Sequence, residues 1–178
     1  MGYKDEIVKS MDWLAAKKDT IFIGQSVSYS GNAIYNTLKS VPEKKKLELP
    51  VIEELQMGLS TGMALEGYVP ITCYPRFDFL ILCCNQLVNH LDKIKFMSKD
   101  KMNPRVIIRT SIGAKKPLDG GIQHTQDHTE AFKNLLTNID VVLLDDAQEI
   151  FPAFKKAYER KDSKSTLIVE WGDYYNEK

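Results

Sequence analysis

The sequence predicts an α/β protein of three layers, a mostly parallel sheet of about six strands between two layers of helices. Three observations predict it. Short β-rich apolar runs alternate with longer stretches of helical period. The runs are apolar throughout rather than at every second residue, as in strands buried on both faces. Polar, Gly-punctuated segments fall after several runs, and open parallel sheets bind ligands at the carboxyl ends of their strands.

Residues 4–17 place Ile7, Met11, Trp13 and Leu14 at helical spacing, closed by Lys17-Lys18-Asp19. Thr20-Ile21-Phe22-Ile23-Gly24 reads as a buried parallel strand. Gln25 to Gly31 is polar and flexible in composition, a common place for ligand contacts and an ordinary surface loop otherwise. Residues 32–39 form a short helix, and 40–48, with Glu43-Lys44-Lys45-Lys46, a mobile charged connection. Leu49-Pro50-Val51-Ile52 is a short extended run before a helix that starts at Glu53 and Glu54.

Tyr68 to Tyr74 is the next strand and Pro75 to Phe79 a turn. A single long helix follows from about Asp78 to Phe96, burying Leu80, Cys83, Leu87 and Leu91. Arg105 to Arg109 is a third strand. The segment from Thr110 to Thr129 has no periodicity, and a loop of this length is usually functional or disordered. It holds His124 and His128, but Gly120-Gly121 argue against the helix that would pair them on a metal, so no metal site is read here. A helix over 129–136, a strand over 139–144, an amphipathic helix over 147–160 and a strand over 165–169 complete the chain.

With 178 residues the chain reads as a single domain, 1–178. Lys plus Arg and Asp plus Glu both number 24, so no global field points to nucleic acid or an anionic membrane. Cys73, Cys83 and Cys84 have no disulfide or metal spacing and read as reduced, buried thiols. There is no apolar signal core at the N-terminus and no apolar stretch long enough to span a bilayer. The expectation is a cytoplasmic protein.

The centre of the sequence is residues 50–67. Taken alone, Glu53 and Glu54 read first as acidic residues complementing a helix dipole. Gly58 and Gly62 stand four apart, on one helix face, where they remove side chains and let another backbone approach. A carboxylate at the mouth of a strand-to-helix turn, on a helix shaped for tight packing, is also how a site is held on rigid elements.

The ordered set Pro50-Val51-Ile52-Glu53, Gly58, Gly62, Gly67, Pro70, Phe77-Asp78-Phe79, Asn85-Gln86, Asn89, Lys93, Met97-Ser98, Arg109, Gly113 and Gln123-His124-Thr125-Gln126 resembles the pyrimidine-binding, transketolase-like domain of thiamine diphosphate enzymes. It is most similar to the beta subunit of the 2-oxo acid dehydrogenase decarboxylase component and covers about residues 5–171. The resemblance implies the thiamine diphosphate-binding fold and a thiamine diphosphate cofactor with magnesium. It implies that Glu53 bonds the ring nitrogen of the aminopyrimidine and activates the cofactor. It assigns cofactor contacts to Phe79, which stacks on the pyrimidine, and to its neighbour Phe77. It makes His124 a proton donor or carboxylate partner near the substrate. Alone, Phe79 reads as core packing and His124 as a loop histidine.

The sequence departs from that pattern. Leu55 stands where the family usually has Gly two residues after the glutamate, and the loop before His124 is longer and carries Lys115-Lys116. The Gly-Asp-Gly…Asn pattern that holds magnesium and diphosphate does not occur in these residues, and the expectation is a chain without the family's second, carboxyl-terminal domain. The expectation is therefore half a pocket, completed by an alpha-type, diphosphate-binding subunit in a heterotetramer, acting on a small molecule, a 2-oxo acid or ketose. The alternative is a catalytically silent scaffold or regulatory subunit that keeps the fold and the interface only. Neither nucleic acid nor membrane is an expected partner.

Overall fold

The computed structural model describes residues 2–116 and 118–175. Six parallel strands form one sheet in the order β2-β1-β3-β4-β6-β5: β1 Thr20–Gly24, β2 Lys46–Glu48, β3 Val69–Tyr74, β4 Ile107–Ile112, β5 Ile139–Leu144 and β6 Ser165–Trp171. The helices are α1 Tyr3–Ala15, α2 Ala33–Asn36, α3 Glu53–Leu65, α4 Phe77–Leu80, α5 Ile94–Met97, α6 Thr129–Leu135 and α7 Ala147–Glu159.

The strands alternate side chains between two apolar layers, which is why their sequences are apolar at both parities. On one side Phe22, Ile71, Ile107 and Ile168 pack with Ile7, Met11 and Leu14 of α1 and with Ile150 and Phe154 of α7. On the other Ile108, Leu167 and Val169 pack with Met57 of α3, Phe77 and Leu80 of α4, and Phe132 of α6. Each such fully buried side chain contributes about 1.5–3 kcal/mol of transfer free energy. Trp13 of α1 meets Phe151 and Tyr158 of α7 edge to face, with centroids 5.7 and 5.5 Å apart.

Three expectations are corrected. Residues 46–48 are not part of a mobile connection: they form the edge strand β2, paired with Phe22 to Gly24. The extended run at 49–52 is not a strand, and only its first residue continues the pairing, through Leu49 N–H to Gly24 O at 2.9 Å. Nor is 78–96 one regular helix. It passes from α4 through a 3₁₀ turn at 81–83 and a wide π turn at Asn85–Leu91 to α5. The buried side is kept throughout by Leu80, Cys83, Leu87 and Leu91. Asp92, fully buried, closes this stretch by accepting from Thr137 N–H, Thr137 Oγ1 and Asn138 N–H at 3.0, 2.8 and 2.7 Å.

One ion pair lies inside the sheet. Arg109 of β4 and Glu170 of β6 are both fully buried and bonded in a fork, with Arg109 Nη2 to Glu170 Oε2 at 2.9 Å. Tyr175 donates its hydroxyl to the same carboxylate. Burial opposes the charge on Arg109, but Glu170 beside it prevails and holds the guanidinium protonated. Burial, and then Glu170, push the Tyr175 hydroxyl well above the usual phenol range. The three cysteines are free, and burial pushes the Cys73 and Cys83 thiols up to about 12. Among the described residues, no helix is long and apolar enough to cross a membrane.

Candidate functional site

The strand order fixes where a site can lie. From β1 the chain moves outward to β2, and from β3 it moves the other way to β4, so the sheet reverses direction between β1 and β3. The two connections leave a crevice at the carboxyl ends of those strands, where open α/β sheets bind ligands. A cavity of about 520 Å³ lies there, lined by Gln25 after β1, by Arg76 and Phe79 after β3, and by Ser111 and Gly113 at the end of β4. Its volume is in the usual range for a small-molecule site.

Glu53 is the first residue of α3 and is buried. Its Oε1 accepts from Gln25 Nε2 at 3.2 Å, and its backbone carbonyl accepts from Tyr74 Oη at 3.2 Å. Gln56, one turn on and fully inside, donates to Thr72 Oγ1 and Cys73 O at 2.9 and 3.0 Å, which ties α3 to β3. Glu53 is therefore held from both strands that flank the crevice. Glu54, beside it, is exposed.

The loop that carries Gln25 is itself shaped by a carboxylate. Glu48, the last residue of β2, accepts the backbone N–H groups of Ser26, Val27 and Ser28. Ser26 takes a left-handed conformation, φ 55°, to present them. Edge strand, loop and Gln25 amide thus form one support for Glu53.

After β3, α4 places its residues on three sides. Phe77 is fully buried against Phe132 and His128, with no face left for a ligand, so the expectation of a cofactor contact from Phe77 is corrected to that of a core anchor. Phe79 is half-buried at the cavity, with the His124 ring edge-on at 5.6 Å between centroids. His124 Nδ1 lies 3.0 Å from Gly120 O. A carbonyl only accepts, so Nδ1 carries the hydrogen and Nε2 is left as the other polar atom of the ring.

Arg76 joins these two segments by donating from Nη1 to His124 O at 2.7 Å. Gly113 makes the contact fit, since a Cβ there would stand 1.8 Å from His124 O and 2.2 Å from Arg76 Nη1. His128 has different neighbours: its Nε2 lies 3.8 Å from Asp78 Oδ1, a carboxylate oxygen that accepts from Gln126 Nε2 at 2.8 Å. The two histidines are not a pair, and among the described residues no group of three or more His, Cys, Asp or Glu is placed to hold a metal ion.

The structure thus brings the Phe79 and His124 rings together, and connects Glu53 through Gln25 to the cavity that Phe79 lines. Glu48, Gln25 and Arg76, which support or line this region, were not singled out by sequence reasoning. Only the polar composition of 25–31 after a strand could have pointed to one of them.

Comparison with known proteins agrees with this geometry. The chain is similar to the pyruvate dehydrogenase E1 component subunit beta of Cyanidium caldarium, 27% identical over 172 residues, which are 94% of this chain and 51% of that protein. It is also similar to the 2-oxoisovalerate dehydrogenase subunit beta of Bacillus subtilis, 24% identical over 138 residues, covering 75% and 42%. The chain spans about half the length of these relatives. Among solved structures, transketolase from Campylobacter jejuni superposes with a TM-score of 0.72 at 14% identity, over 95% of this chain and 25% of that one. A split-gene transketolase, an inactive beta4 tetramer, superposes with a TM-score of 0.64 at 16% identity, covering 97% and 52%. Both share this six-stranded parallel fold. The model of the transketolase pyrimidine-binding domain matches residues 9–175, so a carboxyl-terminal crevice flanked by Glu53 and Phe79 stands in a chain that belongs to that family.

Proposed function

We propose that this chain is one subunit of a two-chain thiamine diphosphate enzyme, acting on a 2-oxo acid or ketose by decarboxylation or by transfer of a ketol or acyl group. The observation that carries the reading is the buried carboxyl of Glu53, with one oxygen held by Gln25, beside the cavity that Gln25 and Phe79 line. These residues fit an aminopyrimidine. Glu53 Oε2 accepts no hydrogen bond among the described residues, and Phe79 offers a half-buried aromatic face. Thiamine diphosphate, when bound, supplies a nucleophilic carbon and an electron sink.

This chain's own residues do the rest. Glu53 holds a proton at Oε2 for the ring nitrogen, and Gln25 fixes the plane of the carboxyl. Phe79 covers the ring and excludes water. His124, with Nδ1 committed to Gly120, offers Nε2 to move a proton on the substrate side. Magnesium and diphosphate belong to an alpha-type partner.

That partner, or a second copy, has a face prepared for it. Val51, Leu55, Ile81 and Leu82 are exposed on and beside α3, and nothing lies within 4 Å of where a Cβ would stand on Gly58 or Gly62. Exposed apolar side chains around bare backbone support an interface. The relatives are named as beta subunits, which also supports a partner chain.

The test is Glu53→Gln in the complex reconstituted with the partner. Turnover is expected to fall about a hundredfold or more, with the subunits still assembled. Full turnover would remove Glu53 from the chemistry. A complex that binds no thiamine diphosphate at all would leave the silent scaffold as the reading.

A further inference from the structure

We infer that Asp78 and His128 are positioning residues, a carboxylate–imidazole clasp that closes when the imidazole is protonated and holds the loop of His124 against Phe79. The clasp goes beyond the proposed function. That reading gives His124 a role, and the clasp makes the placing of His124 depend on pH.

Unmet polar atoms where α4 meets α6 carry it. Asp78 Oδ2, His128 Nε2 and Thr129 Oγ1 are buried, and none has a hydrogen-bond partner among the described residues. The Asp78 side chain is only 7% exposed and that of His128 20%. Buried polar atoms are nearly always bonded, because leaving one unmet is costly. His128 Nε2 stands 3.8 Å from Asp78 Oδ1, about 1 Å too far for a hydrogen bond.

The pair sits where it can control the loop. From Gly120 to Thr125 the loop bonds mainly to itself. His124 N–H and Thr125 Oγ1 donate to Gly121 O, and His124 Nδ1 lies against Gly120 O. Two side-chain bonds hold it to the start of α4: Arg76 Nη1 to His124 O at 2.7 Å, and Gln126 Nε2 to Asp78 Oδ1 at 2.8 Å. His128 is the residue before α6, and its carbonyl accepts Phe132 N–H at 3.0 Å. An ion pair from His128 to Asp78 therefore ties the end of the loop to the helix that carries Phe79.

Few charges face His128. Its ring meets Phe77 edge-on at 5.5 Å, and Phe77 rests on Phe132. Asp127 is exposed and accepts Thr129 N–H, Glu130 is paired with Lys133, and Arg76 is turned to His124. Among the described residues Asp78 is the one ion-pair partner of His128. The N-terminus of α6 opposes a positive charge at 128, but it carries a partial charge and Asp78 a whole one. Histidine changes charge between about pH 5 and 8. Asp78 thus gains a cationic partner at the lower end of that range and loses it at the upper end.

Amide hydrogen exchange on the full chain, without cofactor, tests this. After correction for intrinsic rates, residues 122–128 are expected to exchange about tenfold more slowly at pH 6 than at pH 8. Asp78→Asn and His128→Gln should each remove that dependence. Asp78→Glu keeps the charge and should retain part of it, and His124→Gln should leave it whole. Urea melts check that each variant is folded. If the buried Asp78 variants are not, His128→Gln decides alone.

Exchange over 122–128 that ignores pH, a dependence that survives His128→Gln, or one that vanishes in His124→Gln would each overturn the inference. No cofactor enters these measurements. A clasp found in a chain whose complex takes up no thiamine diphosphate would sink the coenzyme reading and keep this one. The reverse outcome would sink this one alone.

Discussion

Gln25 Nε2 donates to Glu53 Oε1 at 3.2 Å, across 28 residues of chain, and so couples the loop after β1 to the first turn of α3. The bond commits one carboxyl oxygen and orients the other. Gln25→Ala is expected to raise the thiamine diphosphate Kd of the assembled complex about tenfold while moving unfolding stability by less than about 1 kcal/mol. Fluorescence titration of the cofactor beside a urea melt checks both. An unchanged Kd would detach Gln25 from the site.

The glycines of α3 allow a test with opposite signs. Gly58 and Gly62 lie in a helix interior with open space where a Cβ would go. Gly58→Ala should therefore stabilise the isolated chain by about 0.5–1 kcal/mol. The same methyl would hold another backbone away, so assembly with the partner should weaken. Denaturant titration of the chain and sedimentation of the complex read the two effects, and a stabilised chain that assembles normally would move the interface elsewhere.

Arg109 and Glu170 make a third case. Removing one member of a buried pair leaves the other charge unmet, at a cost of about 3–5 kcal/mol. Glu170→Gln alone is expected to show a loss of that order in chemical denaturation. The paired change Arg109→Met with Glu170→Leu should recover much of it, because two apolar side chains then replace two charges. If the double variant is as unstable as the single, the pair is not the source of the loss.

Asp92 sets an acid limit. Burial works against its charge, but hydrogen bonds from Lys93, Asn138 and Thr137 prevail and hold its carboxyl below the usual range. A carboxyl lowered in the folded state adds stability that is whole above its unfolded value, near about 4, and is lost as pH falls through the folded one. Asp92→Asn should cost about 2 kcal/mol near neutrality and make the melt less steep in acid below about pH 4. Urea melts between neutrality and acid check the difference between the two proteins.

How much of this was legible in the sequence depends on what each element needs. The strands at 20–24 and 69–74 are apolar runs with covered faces on both sides, and such runs declare themselves. Lys46-Leu47-Glu48 did not, because an edge strand bonds on one side only and tolerates charge, so its composition matches a loop. Between Phe77 and Met97 the apolar period reports which side is buried, but not which carbonyl each N–H reaches, so the passage through 3₁₀ and π turns was hidden. Glu53 and Phe79 were legible only as members of an ordered set at family spacing. Arg76 and Glu48 do their work through partners 48 and 20 to 22 residues away, and only the strand order shows those meetings. Phe77, expected beside Phe79 as a cofactor contact, is buried in the core, and spacing alone does not say which of two nearby aromatics the core takes.

The outward side of α3 has a consequence for production of the protein. Val51, Leu55 and Leu82 are 69, 52 and 58% exposed, and they stay in water for as long as the chain is by itself. Each is a place where a nascent chain or another copy can adhere. Under the proposed assembly, synthesis in excess of the partner is expected to favour precipitation or proteolysis of the chain.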